Sequence, residues 1–147
     1  MTIDIISATG ADAPSLTSVG LQAFATDPLN AALENYSSLN PTQRSEYLQW
    51  RTERNRRRMT GPGKFWFKAV DSATGNLVGY VGMLAPERSR PEPETPDEGL
   101  ASAPANADLE LWGVFVGRLE EMRVKIMGGR VDYWCEFASQ KQFGTLD

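Results

Sequence analysis

The sequence of 147 residues contains no histidine and only one cysteine, Cys135. Histidine is the commonest general base and the commonest metal ligand, so its absence excludes Ser-His-Asp and Cys-His mechanisms. A zinc site would have to be built from carboxylates alone, and we expect no metal site. One cysteine cannot form a disulfide within the chain, which favours a reducing, cytoplasmic setting. Any chemistry must therefore use carboxylates, tyrosine, the thiol or the backbone.

Long apolar runs and an excess of positive charge are also lacking. No run approaches the ~20 apolar residues that a membrane-spanning helix needs, so we expect no membrane segment. The net charge of −4 does not favour binding to nucleic acid or to an anionic membrane. The acidic start, MTID, lacks the basic and then apolar layout of a signal peptide. With 41% apolar and 23% charged residues, the composition predicts one soluble globular domain.

One basic cluster stands out, comprising Arg51 and the arginines of segment 54–58. The cluster falls in the last part of a predicted helix, where cations suit the negative end of the helix dipole. We therefore interpret it as a solvated helix end. Nuclear import or nucleic-acid binding through Arg54–Arg58 is the alternative.

Hydrophobic periodicity and turn residues predict the element order β-α-α-β-β-α-β. The helices are expected near 12–26, 41–59 and 108–127, with a short helical piece over 28–34. The strands are expected over 3–8, 64–70, 77–84 and 131–137, of which 64–70 and 77–84 form a hairpin. Five prolines and several acidic residues in segment 85–107 predict a mobile loop. The polar segment 138–147 has no clear period and is expected to be an unstructured or divergent tail.

Three stretches resemble the GNAT family of acyl-CoA-dependent N-acetyltransferases. Segment 23–29, AFATDPL, is similar to the AF..DP junction after the first helix in fungal members. The strand, turn and second strand that end in Val78-Gly79-Tyr80 are similar to a hairpin of the family. A long amphipathic helix followed by Tyr133-Trp134 stands where the family places its fourth strand. The resemblance implies an α/β fold with a mixed, mainly antiparallel sheet flanked by helices.

The resemblance implies transfer of an acetyl group from acetyl-CoA to a small-molecule or peptide amine. The amine would lose a proton and attack a thioester carbonyl polarised by fourth-strand backbone N–H groups. Glu136 is the weak candidate for the catalytic base, and a surface carboxylate is the alternative. The candidates for the acceptor groove are Phe24, Asp27, Pro28 and Tyr80. Their alternatives are a helix-stopping turn at Asp27 and core packing for the aromatic Phe24.

The sequence departs from the family pattern after the predicted fourth strand. The family continues with a loop of the form [Q/R]-x-x-G-x-[G/A] and a helix, whose N–H groups hold the pyrophosphate of acetyl-CoA. Here Gln140-Lys141-Gln142 is followed by one glycine, Gly144, so the two-glycine loop is missing. We expect residues 1–137 to form a truncated acetyltransferase-like domain that binds acetyl-CoA weakly and is inactive or weakly active. The alternative is a non-catalytic binding or regulatory module that pairs or self-associates through the edge of strand 131–137.

Overall fold

The computed structural model describes residues 2–86, 103–128, 130, 132 and 134–140, of which 135–140 are described by their backbone only. The strands are β1 Ile3–Ser7, β2 Lys64–Asp71, β3 Leu77–Leu84 and β4 Cys135–Gln140. The helices are α1 Ala13–Ala23, α2 Pro28–Glu34, α3 Pro41–Met59 and α4 Leu109–Met127. Short 3-10 turns lie at Gly10–Asp12 and Tyr36–Ser38. Within these ranges no helix is long and apolar enough to cross a membrane.

The four strands form one sheet in the order β1-β2-β3-β4. Ile3 lies opposite Asp71, Lys64 lies opposite Leu84, and Leu84 lies opposite Cys135. The α/β fold class and the helix-flanked antiparallel sheet are confirmed. The expected mixed sheet is not observed, because every pairing between the described strands is antiparallel.

The predicted central hairpin is confirmed as β2 and β3, and β2 extends one residue further, to Asp71. The turn is closed by Asp71, whose carbonyl accepts the N–H of Gly75 at 2.8 Å. Its carboxylate accepts the N–H of Ala73 at 3.0 Å. Gly75 adopts a left-handed conformation with φ of 71°, which glycine adopts without a steric penalty.

The fourth strand is displaced along the chain relative to its prediction. It begins at Cys135 instead of residue 131 and includes residues 138–140, which the prediction assigned to the tail. Residues 141–147 lie outside the described part of the chain, as do residues 87–102 of the predicted loop. The described ends of that loop are attached to the body. Ala85 is buried and donates its N–H to the Gly63 carbonyl at 2.8 Å, and Ala103 packs near Tyr47 and Trp50.

The core consists of two neighbouring clusters under the helices. One contains Ala13, Leu16, Met59 and Trp66, and the other contains Leu39, Tyr47 and Trp50. A buried polar link joins α1 to α3. Asn55 donates its side-chain N–H to the Thr17 hydroxyl at 2.9 Å, and this hydroxyl donates to the Ala13 carbonyl at 2.8 Å. Both groups therefore keep hydrogen bonds in the interior, where an unpaired polar group would be costly.

The apolar stripe predicted on the long helix is present, but it is largely uncovered. No residue of α4 is buried, and Leu119, Met122 and Ile126 are 51%, 56% and 71% exposed. The helix contacts the body near its N-terminus, where Asp108 donates its N–H to the Leu33 carbonyl at 3.0 Å. The half-buried Trp112 contacts the body through Arg54, whose guanidinium lies 5.4 Å from the centroid of its ring. The helical spacing of apolar residues predicted the stripe correctly, but it did not indicate whether the rest of the chain buries this stripe.

The contact between α1 and the sheet leaves no room for a side chain at Gly20. A Cβ at this position would lie 2.9 Å from the Tyr80 hydroxyl oxygen. Tyr80 cannot withdraw freely, because its ring stacks on Trp66 with centroids 5.8 Å apart. The close approach of α1 therefore depends on a glycine at this point.

We predict strong coupling between Gly20→Ala and Tyr80→Phe. Removal of the hydroxyl relieves the clash, so Gly20→Ala should be about 1–2 kcal/mol more favourable in the Tyr80→Phe background than in the wild type. Urea unfolding of the four proteins measures this difference. Gly117→Ala is the control, because its Cβ meets nothing within 4 Å in the described chain. Equal effects of Gly20→Ala in both backgrounds would contradict the packing.

Candidate functional site

A groove of about 510 Å³ lies where α1, α2, the Tyr36–Ser38 turn and α3 meet. Its volume falls in the range of roughly 300–1,000 Å³ that is usual for small-molecule sites. Its wall contains both apolar and polar side chains. The lining residues are Ser18, Leu21, Gln22, Phe24, Ala25, Asn30, Ala31, Tyr36, Ser37, Arg44 and Leu48.

Arg44 is the one charged residue in this lining. Its Nε donates to the Leu39 carbonyl at 2.8 Å, and its Nη2 donates to the Ser37 carbonyl at 3.1 Å. The guanidinium also lies 5.7 Å from the centroid of the Tyr36 ring. These contacts fix the cation beside the groove without neutralising it, because both acceptors are uncharged carbonyls.

A buried ionic cluster lies beside the groove and joins α2 to α3. Glu34, at the end of α2, is 1% exposed, and its carboxylate accepts hydrogen bonds from the Tyr47 hydroxyl and from Nη1 of Arg51. The same Nη1 contacts the Tyr47 hydroxyl oxygen at 2.6 Å. We call Glu34, Tyr47 and Arg51 the Glu34 cluster. A buried carboxylate is tolerated only when it is paired and hydrogen-bonded in this way.

The Glu34 cluster shifts the protonation of its members. Burial raises the pKa of Tyr47 well above its ordinary value of 10.0, the charge of Arg51 opposes this rise, and the charge of Glu34 adds to it. Burial by itself would lower the pKa of Arg51, but the neighbouring Glu34 charge and Tyr47 more than offset it, so this pKa is raised. The cluster thus holds a neutral tyrosine and a charged arginine, an arrangement that serves structure.

The arginines predicted to be a solvated helix end are partly internal. Arg54 is 9% exposed, and its guanidinium lies 5.8 Å from the centroid of Trp50 and 5.4 Å from that of Trp112. Arg56 and Arg57 pair with Glu53 on the helix surface. The prediction of a solvated helix end is therefore wrong for Arg51 and Arg54, because aromatic rings and Glu34 draw them inward. Nuclear import or nucleic-acid binding through Arg54–Arg58 stays a prediction.

The predicted site residues do not come together in one place. Phe24 is 39% exposed and lines the groove. Asp27 begins α2 as its N-cap, accepting the N–H of Asn30 at 2.7 Å, and Pro28 is the first residue of that helix. Tyr80 packs against the core beneath α1 and is not part of the groove lining. Glu136 lies in β4 opposite Met83, where the structure describes only the backbone.

Sequence reasoning missed the Glu34 cluster and Arg44. One signal for the cluster was available, since Tyr47, Arg51 and Arg54 recur at helical spacing on the face of α3 that also carries Trp50. Two arginines on an aromatic face require a buried acid or aromatic partners. The sequence offers no comparable signal for Arg44, because its acceptors are backbone carbonyls in the preceding turn.

The described helix N-termini do not fit the pyrophosphate of acetyl-CoA. Such a group needs several free N–H donors at the positive end of a helix. Side-chain oxygens already accept from first-turn N–H groups in α2, α3 and α4, and α1 begins directly after a carboxylate. These residues are Asp27, Asn40, Asp108 and Asp12, respectively. Three of the four are acidic and repel phosphate. Over the same residues, no cluster of three or more His, Cys, Asp or Glu side chains suits a metal ion.

The chain is similar to a solved structure of known function. No protein-family model matches the chain, and no curated protein matches it. A crystal structure of a histone acetyltransferase HPA2 and related acetyltransferase from Corynebacterium glutamicum is similar, with 24% identity and a TM-score of 0.42. The match covers 65% of this chain and 56% of that protein, so this chain spans little more than half of its length. At this level the likeness decides neither reaction nor substrate.

We predict that Tyr47 makes stability fall at alkaline pH. The unfolded tyrosine loses its proton near pH 10.0, whereas the folded one retains it to higher pH. Folding therefore binds a proton in that range, and the free energy of unfolding should fall by about 1.4 kcal/mol per pH unit from this residue. Urea unfolding of the wild type and Tyr47→Phe between about pH 8 and 12 tests this. The curves should be parallel below about pH 9 and converge above about pH 10. Parallel curves throughout would contradict the shifted pKa.

Proposed function

We propose that this chain is an acetyltransferase-like domain that works as a small-molecule binding module. The groove beside Arg44 is its binding site, and acetyl-CoA is not its tight ligand. The support for family likeness is the element order together with the AFATDPL and VGY segments of the sequence. The observation that carries the binding role is the groove of about 510 Å³, whose one cation is fixed in place by two backbone carbonyls.

The case against tight acetyl-CoA binding is electrostatic. A pyrophosphate bound through exposed lysine and arginine side chains gains little, because water screens such contacts. A tight site uses convergent backbone N–H groups, which the capped helices of the described chain do not offer. Glu136 is the candidate base for residual transfer to an amine, acting from β4 by accepting a proton. The cytoplasmic setting favoured by the single cysteine belongs to the same proposal.

We predict that acetyl-CoA binds no more tightly than about 1 mM, which corresponds to about 4 kcal/mol. Isothermal titration calorimetry of the full chain with acetyl-CoA measures this, and CoA without the acetyl group is the matched control. Both should bind equally weakly, because neither pyrophosphate finds a donor set. A micromolar dissociation constant for acetyl-CoA would return the chain to the working acetyltransferases.

A second candidate function is pairing through the sheet edge. The edge of β4 that faces away from β3 has no partner among the described strands, and an open edge is a template for another strand. Trp134, just before β4, is 52% exposed and contacts the ring of Phe65 with centroids 5.7 Å apart. Such a module would join a second copy or a partner strand through main-chain hydrogen bonds.

Sedimentation velocity at increasing protein concentration tests the edge. Pairing through β4 predicts a dimer that grows with concentration and weakens when Ala138→Pro removes one N–H donor from the strand. Ala73→Pro is not a suitable control for Ala138→Pro, because the N–H of Ala73 donates a hydrogen bond to the Asp71 carboxylate in the hairpin turn. Val114→Pro is also unsuitable, since it would break α4. Ala138→Val is therefore the matched variant, because it keeps the N–H donor and suits a strand, and it should retain the dimer. A monomer at every concentration would exclude self-pairing.

A further inference from the structure

We propose that the ligand of the groove is a small molecule with a carboxylate next to an aromatic or aliphatic group. This inference rests on the proposed binding role and names the ligand's charge. It runs against the amine acceptor implied by the family resemblance. The contrast comes from the lining itself, which contains one guanidinium and no carboxylate.

The Arg44 guanidinium is prepared for an anion. A guanidinium carries five N–H donors in a planar fork, and the carbonyls of Leu39 and Ser37 occupy two of them. No carboxylate of the described chain pairs with Arg44, unlike Arg51, Arg56 and Arg57. The remaining donors are oriented because the side chain is held by the carbonyls of Ser37 and Leu39 and lies over Tyr36. Orientation before binding lowers the entropy cost of a bidentate contact with a carboxylate.

The lining also contains apolar side chains, which suit an apolar group. Leu21, Phe24, Ala25, Ala31 and Leu48 provide the apolar surface. Phe24 lies at the end of α1, and 39% of its surface is exposed, although phenylalanine is usually buried in a core. Covering this ring with an aromatic or aliphatic ligand removes apolar surface from water, at about 25 cal/mol per Å². The cation and the apolar side chains of the lining thus suit a ligand that has a negatively charged group and an apolar group.

An amine is disfavoured at the same site. An ammonium group would meet the positive charge of Arg44 and would find no carboxylate in the lining. A neutral amide keeps the apolar contact and loses the charge-assisted hydrogen bonds. Because Arg44 is exposed and water screens its charge, the carboxylate should bind about two- to fivefold more tightly than the amide.

Three isosteric probes test the proposal with the full chain: 3-phenylpropanoate, 3-phenylpropanamide and 3-phenylpropylamine. Amide chemical shifts in two-dimensional NMR give each dissociation constant and locate the binding site. We expect the order carboxylate, amide, amine, with shifts at the Tyr36–Ser38 turn and the end of α1. Higher salt should weaken only the binding of the carboxylate probe, because salt screens its attraction to Arg44. This test uses the wild-type protein.

Variants separate the charge from the groove. In Arg44→Gln the carboxylate probe should bind with the same affinity as the amide probe. In Arg44→Lys part of the affinity difference between the two probes should remain. Arg57→Gln is the matched control, because Arg57 is on the same helix, is exposed and pairs with Glu53. Ala31→Trp should fill the groove and weaken the binding of all three probes. Because Ala31 is exposed, this variant should still fold, which circular dichroism checks.

The outcomes distinguish this inference from the binding role beneath it. Carboxylate preference that depends on Arg44 and on salt supports the proposal. If the amide or amine binds as tightly as the carboxylate and Ala31→Trp abolishes binding, the charge assignment is overturned and the groove remains a binding site. If no probe causes shifts at its solubility limit, the binding role fails together with the inference.

Discussion

The helical side of this protein depends on one buried carboxylate. Glu34 accepts from Tyr47 and Arg51 on α3 through its side chain, and its backbone carbonyl accepts from the side chain of Asn106, just before α4. One residue at the end of α2 therefore connects three parts of the chain. Removing one partner from a buried pair is strongly destabilising, by about 3–5 kcal/mol, because the other charge remains unpaired in the interior.

The groove follows from this arrangement. The groove lies beside α2. The chain enters α2 at Asp27, after α1, and continues through the Tyr36–Ser38 turn to α3. The Glu34 cluster fixes the far end of α2, and Arg44 fixes the turn by donating to the carbonyl of Ser37 and to that of Leu39, which follows the turn. The wall of the groove is thus held from both sides, while its interior keeps only one charge. A rigid wall with one oriented cation is the basis for assigning a binding role.

Local signals predicted the local structure well. The predicted start of α3 near residue 41 is confirmed: Asn40 and Gln43 form a capping box in which both reciprocal hydrogen bonds are 3.0 Å long. The hairpin followed from its aromatic strand and its glycine turn. The face of α3 indicated a buried partner for its arginines but did not identify Glu34, which lies 13 and 17 residues from Tyr47 and Arg51. The groove could not be predicted, because it depends on how α2 packs on α3. The exposure of α4 was missed for the same reason, since periodicity identifies an apolar face without identifying its cover.

Hydrogen exchange of Glu34→Ala, followed by mass spectrometry, tests most directly whether Glu34 organises the helical side. We predict that amides in α2, in the Tyr36–Ser38 turn and near Asp108 lose protection, since each is held through the end of α2. The hairpin of β2 and β3, which has its own ladder of hydrogen bonds, should stay protected. Unchanged protection of α2 and its following turn would show that the groove is held by packing alone and would contradict the account.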